Sequence, residues 1–368
     1  MAKPCSNNSI NVFLIAVLIS FLTAFFMMPI LIKVANKWSI YDLPSDRKVH
    51  SAGISALGGI GIFFGIRMGL FSSLLFAAEP TLHKSSTYLL VGMLLIFLNG
   101  LGDDLFSYSA NKKFILQFVI CFLFVDSDGI FQQELHSIIG SYYATRFILT
   151  LVLVTIINSI NLMDGIDGLA AAMGIFICTV FSILNILHEN IFLSVLSLST
   201  VGALGGFLYF NRNPAKIFMG DSGALMLGFV IAFLTISTPY KSQTYFLSHT
   251  KLHVVNIILA TISLPVFDVI RLFFSRLISG ASPFNGDRNH LHHILVDSGV
   301  SVGKSVLVIF SIATFQLAIA VSLPFVPWYE MLSILLISYL VIIRFISVIV
   351  SAEKKSVGEL LRKITNIF

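Results

Sequence analysis

The fold is decided by residues 145–187, which read TRFILTLVLVTIINSINLMDGIDGLAAAMGIFICTVFSILNIL. Two apolar runs, 145–160 and 168–187, lie on either side of a polar string that ends in MDGIDG. An α-helix needs about 20 apolar residues to cross the hydrocarbon core of a bilayer. The pattern therefore predicts two membrane-spanning helices that are joined by a short polar junction at the membrane surface.

The same alternation of apolar runs and polar strings continues through the chain of 368 residues, of which 57% are hydrophobic and 11% charged. Soluble domains carry roughly 25% charged residues, so the composition excludes a soluble globular enzyme. We expect an all-α, polytopic membrane protein with one transmembrane domain at 1–350 and a basic tail at 351–368. About eleven spans are predicted: 10–34, 58–76, 87–101, 114–125, 145–160, 168–187, 191–209, 223–238, 252–274, 305–323 and 331–350.

Lysine and arginine residues are unevenly divided between the loops on the two sides of these spans. If the N-terminus is outside, most of the 23 residues fall on the side that also carries the C-terminal tail. Cytoplasmic loops of membrane proteins are enriched in lysine and arginine. We therefore predict an external N-terminus and a cytoplasmic C-terminus. Because the polar strings share the basic side, the functional site is expected on the cytoplasmic face.

The adjacent carboxylates Asp103 and Asp104 follow an apolar span and are the first candidate site. Two neighbouring carboxylates ionise together readily only when a cation shares them, and Mg²⁺ or a nearby lysine such as Lys113 would serve. Mg²⁺ commonly takes one or two carboxylates together with substrate phosphates. The pair alone is also compatible with a solvated helix cap. Asp221, in a Gly-Asp-Ser-Gly turn, either caps the helix that follows or holds a metal.

Four amide and acid side chains recur every three residues in the polar junction: Asn158, Asn161, Asp164 and Asp167. If the segment is helical, this spacing keeps them near one face, while Gly165 and Gly168 allow a break or a close backbone approach. A stripe of this kind after an apolar span is difficult to explain as packing. Because ionisable groups at membrane depth mark functional sites by default, we interpret the stripe as part of one.

Three histidines, His290, His292 and His293, occur within four residues, and Arg276 and Arg288 precede them. Zinc binding is one interpretation, but adjacent histidines do not readily reach one ion from a regular element, and no cysteine is near. Histidine and arginine also bind phosphate oxygens through charge-assisted hydrogen bonds. We favour phosphate binding over zinc binding for this string.

Acids for a divalent cation and basic groups for a diphosphate are the combination that phosphoryl transfer requires. Since the site is expected at the membrane surface, one substrate is expected to be a lipid. The alternative is an ion-coupled transporter, whose intramembrane acids lie near the bilayer midplane on broken helices. Only Asp268 lies close to a span interior, so transport is the weaker hypothesis. No nucleic-acid partner is expected.

Three strings carry a family resemblance: 158–169 (NSINLMDGIDGL), 216–223 (KIFMGDSG) and 282–293 (SPFNGDRNHLHH). Together with the aspartate pair they resemble the polyprenyl-phosphate N-acetylhexosamine-1-phosphate transferase superfamily, over roughly residues 10–350. The histidine string, with Arg276 upstream, is most similar to bacterial members that transfer GlcNAc-1-phosphate from UDP-GlcNAc to undecaprenyl phosphate. The resemblance leaves other UDP-N-acetylhexosamines open as donors.

This resemblance implies a multi-pass enzyme of the bacterial inner membrane that requires Mg²⁺, or Mn²⁺ in some members. Undecaprenyl phosphate would attack the β-phosphate of UDP-GlcNAc, UMP would leave, and O-antigen or related glycan assembly would begin. The expected partners are both substrates and the lipid bilayer, and a homodimer is also expected.

The resemblance further implies a role for each candidate residue. Asp221 is expected to bind the metal, and Asp103 and Asp104 to contact the metal or to handle the proton of the lipid phosphate. The other expected catalytic residues are Asp164, Asp167 and His290, and the expected substrate-binding residues are Asn158, Asn161, Asn211, Phe218, Arg276, Arg288, His292, His293, Lys48, His50 and Lys113. The chain departs from the family pattern at Ser55-Ala56-Leu57, where a proline usually precedes Gly58-Gly59.

Overall fold

The structure is a computed structural model, and it describes residues 7–38, 53–76, 84–124, 130–238, 251–280 and 289–365. Within these ranges the chain forms thirteen α-helices joined mostly by short loops. They are α1 (Asn7–Trp38), α2 (Gly58–Phe76), α3 (Lys84–Phe106), α4 (Ala110–Phe124), α5 (Ile130–Ile139), α6 (Tyr142–Met163), α7 (Leu169–Leu187), α8 (Ile191–Asn211), α9 (Gly220–Ser237), α10 (Lys251–Ile278), α11 (Leu291–Asp297), α12 (Val302–Ser322) and α13 (Trp328–Thr365).

All eleven predicted apolar runs coincide with helices, which confirms the all-α class. Among the described residues, nine helices are long and apolar enough to cross a membrane: α1, α3, α6, α7, α8, α9, α10, α12 and α13. The apolar part of α2, Gly58–Ser73, is shorter, and α4 has 15 residues. Two helices were not predicted, α5 with 10 residues and α11 with 7, because neither is long enough to resemble a span.

Helix α9 lies at the centre of the bundle. Of its apolar window 83% is buried, compared with 11% for α13, and it packs against α2, α3 and α6. A helix that is hydrophobic on every side belongs in the interior, whereas α13 presents most of its apolar side chains outward. Asp221, in the first turn of α9, therefore lies where several helices meet.

The buried apolar side chains form two clusters that meet near the α6–α7 junction. The larger cluster contains side chains from helices throughout the range α1 to α10. The smaller cluster contains side chains mainly from α10, α11, α12 and α13. Met163, Ile166 and Leu169, which belong to the junction, lie in the smaller cluster. The polar residues between them are therefore held at the border of two packed units.

The last helix, α13, continues from Trp328 to Thr365 without a break. The predicted boundary between the transmembrane domain and the basic tail, at 350/351, falls inside this helix. The first part of the tail is thus a continuation of the final span.

Candidate active site

One ammonium group joins two carboxylates at the ends of α3, α4 and α9. Lys113 Nζ lies 2.7 Å from Asp103 Oδ2 and 2.5 Å from Asp221 Oδ2. The three side chains are only partly exposed, between 11% and 27%. With Asp104, these residues form what we call the aspartate cluster. Lys113, a minor candidate in the sequence, is its central cation.

Asp104 has a different partner from its neighbour Asp103. Its two carboxylate oxygens accept hydrogen bonds from the backbone N–H groups of Asp221, at 2.8 Å, and Ser222, at 3.0 Å. The first N–H groups of a helix have no partner within the helix, and a carboxylate near the positive end of the helix dipole stabilises it. Asp104 therefore caps α9 from another helix.

The close approach of α3 to α9 depends on two glycines. A Cβ atom at Gly100 would overlap the backbone of Asp221. Gly220 has a positive φ of 70°, and a Cβ there would overlap the Ala56 carbonyl. A side chain at Gly100 would separate the helices by its size, and one at Gly220 would also be strained by the positive φ.

The aspartate cluster has more negative than positive charges, which favours the binding of a divalent cation. It contains three carboxylates and one ammonium group, and carboxylates in close proximity repel each other unless a cation offsets their charge. Asp103 and Asp221 already direct one oxygen each at a shared cation, and Mg²⁺ often uses two carboxylates plus phosphate oxygens. No complete set of three His, Cys, Asp or Glu ligands occurs among the described residues. The residues fit a metal that phosphate oxygens help to hold.

The polar junction is not a continuous helix, so the condition on which the stripe was predicted is met only as far as the end of α6. Helix α6 ends at Met163, and Asp164 is its C-cap, with its N–H donating to the Asn161 carbonyl at 3.2 Å. Gly168, with a φ of 79°, precedes α7. The chain breaks where these two glycines allow it, and Asp167 lies beyond the end of α6, in contact with the loop before α9.

Asn158 stays in the helix and faces α4. Its amide donates to Gln117 Oε1 at 2.7 Å. Gln117 lies one turn from Lys113 on α4, since residues four apart share a helix face. The α6 stripe is thereby connected to the aspartate cluster.

Asp167 and Asn211 tie the α6–α7 junction to the loop before α9. Asp167 Oδ2 accepts from Asn213 Nδ2 at 2.9 Å and from the Ala215 N–H at 3.0 Å. Asn211 accepts from the Gly168 N–H at 3.0 Å and donates to the Ile217 carbonyl at 2.9 Å. Both side chains are buried, so in this structure they hold the loop that presents the next residue, Phe218.

Phe218 is held by the segment that departs from the family pattern. Its N–H donates to the Ser55 carbonyl at 2.8 Å, and its carbonyl accepts from the Gly58 N–H at 3.0 Å. The buried Ser55 hydroxyl accepts from the Leu57 N–H at 3.2 Å. Serine in place of proline thus keeps the turn through its hydroxyl group.

A second group of charged side chains surrounds Asp268 on α10. Asp268 Oδ1 accepts from Arg271 Nη2 and from the Tyr339 hydroxyl, both at 2.9 Å, and Asp268 Oδ2 lies 2.8 Å from His290 Nδ1. Arg271 also donates to the Asn289 carbonyl at 2.7 Å. We call Asp268, Arg271, His290 and Tyr339 the Asp268 network.

Sequence reasoning did not assign Asp268, Arg271 and Tyr339 to the site. A usable signal was present, because opposite charges three residues apart in an apolar run are the pattern of a helical ion pair. Tyr339 had no such signal, since it lies 71 residues from Asp268 in the chain.

The remaining histidines extend from the Asp268 network towards the junction. The His292 ring lies 5.6 Å from that of His290 and 4.3 Å from that of His293, and a Cβ on Gly165 would overlap His292 Nε2. Burial lowers the pKa of His292 to about 3, and His293 and His290 lower it further while Asp268 opposes them. His292 is therefore neutral near pH 7. Asp268, His290 and His292 share the wall of a small cavity with Ser159 and Met163.

The other predicted residues lie at the margin of the site or outside the described chain. Arg276 is partly buried in the last turn of α10. Lys48, His50 and Arg288 lie outside the described residues. The structure thus connects the aspartate pair with the three strings that carry the resemblance. The contacts link α3, α4 and α9, then the α6–α7 junction with the loop before α9, then the junction with α11.

Comparison with known proteins gives a consistent result. A family model described as "Glycosyl transferase family 4" matches residues 86–238, the segment that carries the aspartate cluster. A relative from Bacillus subtilis (strain 168), named "Probable undecaprenyl-phosphate N-acetylglucosaminyl 1-phosphate transferase", is 33% identical over 306 residues, which cover 81% of each chain.

Two further relatives are more distant in identity or coverage. The "Undecaprenyl-phosphate alpha-N-acetylglucosaminyl 1-phosphate transferase" of Escherichia coli O157:H7 is 27% identical over 327 residues, 84% of each chain. The "Decaprenyl-phosphate N-acetylglucosaminephosphotransferase" of Mycolicibacterium smegmatis is 31% identical over 304 residues, 75% of this chain and 73% of its own. With these matches and this arrangement of acids and histidines in a helical membrane bundle, the chain belongs to glycosyl transferase family 4.

Proposed function

We propose that the protein transfers GlcNAc-1-phosphate from UDP-GlcNAc to undecaprenyl phosphate in the bacterial inner membrane. One observation carries the proposal: the aspartate cluster and the histidines are attached to the same hairpin, α6–α7. Gln117, beside Lys113, bonds to Asn158 on α6, and His292 packs on Gly165 in the junction. Groups that suit a cation and groups that suit a diphosphate thus border the same hairpin, and the names of the relatives support undecaprenyl phosphate as the acceptor and GlcNAc-1-phosphate as the group transferred.

The reaction makes one phosphoanhydride bond and breaks another. An oxygen of the lipid phosphate attacks the β-phosphorus of UDP-GlcNAc, the bond from that phosphorus to the bridging oxygen breaks, and UMP leaves with the bridging oxygen. Catalysis of such a transfer consists mainly of positioning and of offsetting the charge of the phosphate oxygens. The protein must therefore hold two anionic substrates close together.

A divalent cation, Mg²⁺ or Mn²⁺, would be held by Asp103 and Asp221. Bound there, it would offset the negative charge that develops on the phosphate oxygens. Lys113 keeps both carboxylates directed at a common point, and Asp104 fixes the start of α9 so that Asp221 stays in place. These two residues orient the ligands, and Lys113 adds a positive charge for the lipid phosphate.

The histidines supply the other half of the site. Imidazole nitrogens donate hydrogen bonds to phosphate oxygens, and His290 and His292 line the cavity beside the α6–α7 junction. His290 would contact the diphosphate, and the neutral His292 would bind as a hydrogen-bonding group without adding charge. Phe218, presented by the loop that Asp167 and Asn211 hold, would contact the uracil ring.

The site is proposed to face the cytoplasm, because the loops on its side carry most of the lysine and arginine residues. The UDP-sugar would then reach the site from the cytoplasm, and the lipid phosphate would enter it from the inner leaflet of the membrane. The expected homodimer stays a prediction, which the mass of the detergent-solubilised enzyme would test.

The decisive experiment measures which nucleotide is released. Purified protein in detergent is supplied with UDP-GlcNAc, undecaprenyl phosphate and Mg²⁺, and we expect UMP only when all three are present. Release of UDP instead would indicate sugar transfer without the phosphate and would contradict the proposal. UDP-GalNAc and UDP-glucose serve as competing donors. Faster UMP release from either one would mean that its sugar, and not GlcNAc, is the one that the protein transfers.

A further inference from the structure

Asp268 is a buried carboxylate on α10, and the proposed chemistry does not use it directly. Its side chain is 13% exposed, and it receives donors from three different elements: Arg271 on its own helix, Tyr339 on α13 and His290 at the start of α11. Keeping a carboxylate ionised in such a place is costly unless each oxygen is paired. Here both oxygens are paired, which fixes the direction of the carboxyl group.

The contact with His290 determines how that imidazole is presented. A carboxylate accepts hydrogen bonds, so the Nδ1 that lies 2.8 Å from Asp268 Oδ2 carries a hydrogen. The opposite nitrogen, Nε2, then lies on the side of the ring that faces away from Asp268. A carboxylate that orients a histidine in this way fixes both its tautomer and its ring direction.

The backbone next to His290 is held by the same helix. Arg271 donates to the carbonyl of Asn289, the residue before His290, at 2.7 Å, and its guanidinium also bonds to Asp268. Asp268 and Arg271 therefore hold the His290 side chain and its preceding peptide at once. Tyr339, which is fully buried, closes the arrangement from α13.

We propose that Asp268 is a positioning residue for the transfer reaction, which directs His290 Nε2 towards the diphosphate of the bound nucleotide sugar. Arg271 and Tyr339 act through Asp268 by holding its carboxyl group. This inference rests on the proposed function, because His290 must contact the substrate for its direction to matter. A purely structural Asp268 would instead serve only to neutralise Arg271.

A double-mutant cycle separates these two roles. Asp268→Asn keeps the size of the side chain and removes its charge, and we expect it to lower the kcat of UMP release on the order of 10²-fold. The KM for UDP-GlcNAc should change less than about threefold, because the substitution removes no contact that binds the substrate and the transition state equally. His290→Ala should lower kcat at least as much.

The decisive comparison is the double variant. If Asp268 acts through His290, Asp268→Asn has no further effect on kcat once His290 is alanine, since residues that act as a unit are not additive. If Asp268 is only structural, its loss lowers activity by the same factor in both backgrounds, and the proposal is overturned. An active His290→Ala variant would also overturn it.

Two further variants cover a failure of Asp268→Asn to fold. Asp268→Glu keeps the charge opposite Arg271 but displaces the carboxyl group by one methylene, so we expect an unchanged melting temperature with reduced kcat. Tyr339→Phe removes one of three donors and should lower kcat by less than about tenfold. Full activity in Asp268→Glu contradicts the positioning role.

The outcomes also separate this inference from the proposed function. Wild-type protein that releases no UMP in the presence of both substrates contradicts the function itself. Active wild-type protein together with an active, folded Asp268→Asn variant contradicts only the role of Asp268.

Discussion

The aspartate cluster and the Asp268 network contain similar residues, but their charge balance differs. In the aspartate cluster, three carboxylates share one ammonium group and three backbone N–H groups. In the Asp268 network, one carboxylate is paired with a guanidinium, a phenol and an imidazole. The first group has fewer positive than negative charges, whereas in the second both oxygens of the single carboxylate are paired with donors.

This difference indicates what each group contributes. A set of carboxylates with too little positive charge is most stable when a further cation arrives, which is the property of a binding site. A buried pair whose hydrogen bonds are complete has little to gain from a ligand and mainly fixes geometry. The protein thus combines one group that is completed by its substrates and another that is complete before they bind.

The largest effect is expected when the aspartate cluster loses a carboxylate. Asp221→Asn keeps the shape of the side chain but removes one of the two charges on the shared cation position, and we expect kcat to fall on the order of 10³-fold. Asp297→Asn, at the exposed end of α11, is the matched control and should keep wild-type activity. Comparable activity in both variants would remove Asp221 from the site.

A second prediction tests the charge balance of the two groups directly. Lys113→Met and Arg271→Met each remove the main cation from one group, and breaking such a partly buried pair should destabilise the fold by roughly 3 kcal/mol. We expect Mg²⁺ to raise the melting temperature of the Lys113 variant more than that of wild-type protein, because the carboxylates then have no ammonium group to offset their charge. In the Arg271 variant, Mg²⁺ should raise the melting temperature no more than in wild-type protein. An equal Mg²⁺-dependent rise in both variants would contradict the difference in charge balance between the two groups.

A third prediction concerns the contact between the junction and His292. A Cβ at Gly165 would overlap His292 Nε2, so Gly165→Ala should displace the ring and cost about 1–3 kcal/mol of stability, with a loss of activity. Gly303→Ala in α12 is the control, because a Cβ there meets no atom within 4 Å. Unchanged thermal melting and activity in Gly165→Ala would show that His292 moves aside freely.

The last prediction concerns the dependence of stability on pH. The pKa of His292, about 3, lies below its ordinary value of 6.5, so the unfolded chain takes up this proton first as the pH falls. The stability that His292 contributes is fully present above pH 6.5 and is lost progressively towards pH 3, by at most ~1.4 kcal/mol per pH unit. His292→Asn should show a shallower decline of melting temperature over this range. An identical decline in both proteins would contradict the assignment.

Hydropathy predicts the helices well because the hydrocarbon core sets both their length and their composition. It misses α5 and α11, which are too short to resemble spans. It does place a polar junction between 160 and 168, although the three-residue spacing of the polar side chains continues past the end of α6 at Met163. Gly165 and Gly168 add to that indication, and contacts from Asp167 to the loop before α9 hold the junction.

The site is partly predictable for a similar reason. Asp103, Asp221 and the histidines stand out because acids and bases are rare in an apolar chain. The sequence does not show which of these side chains contact each other. Lys113 and Asp221 are 108 residues apart in the chain, and Asp268 and Tyr339 are 71 residues apart. The sequence analysis considers Asp268 only for the transporter alternative and does not pair it with Arg271, although opposite charges three residues apart in a helix can form an ion pair.

Asp103 and Asp104 are adjacent in the chain, yet they contact different helices. Asp103 forms an ion pair with Lys113 on α4, and Asp104 accepts hydrogen bonds from the first N–H groups of α9. Three helices are therefore fastened at a single point of the backbone, and none can slide without disturbing a carboxylate. Substitution of Asp104 would therefore release α9 from its cap and, through the shared backbone, also loosen the contact between Asp103 and α4.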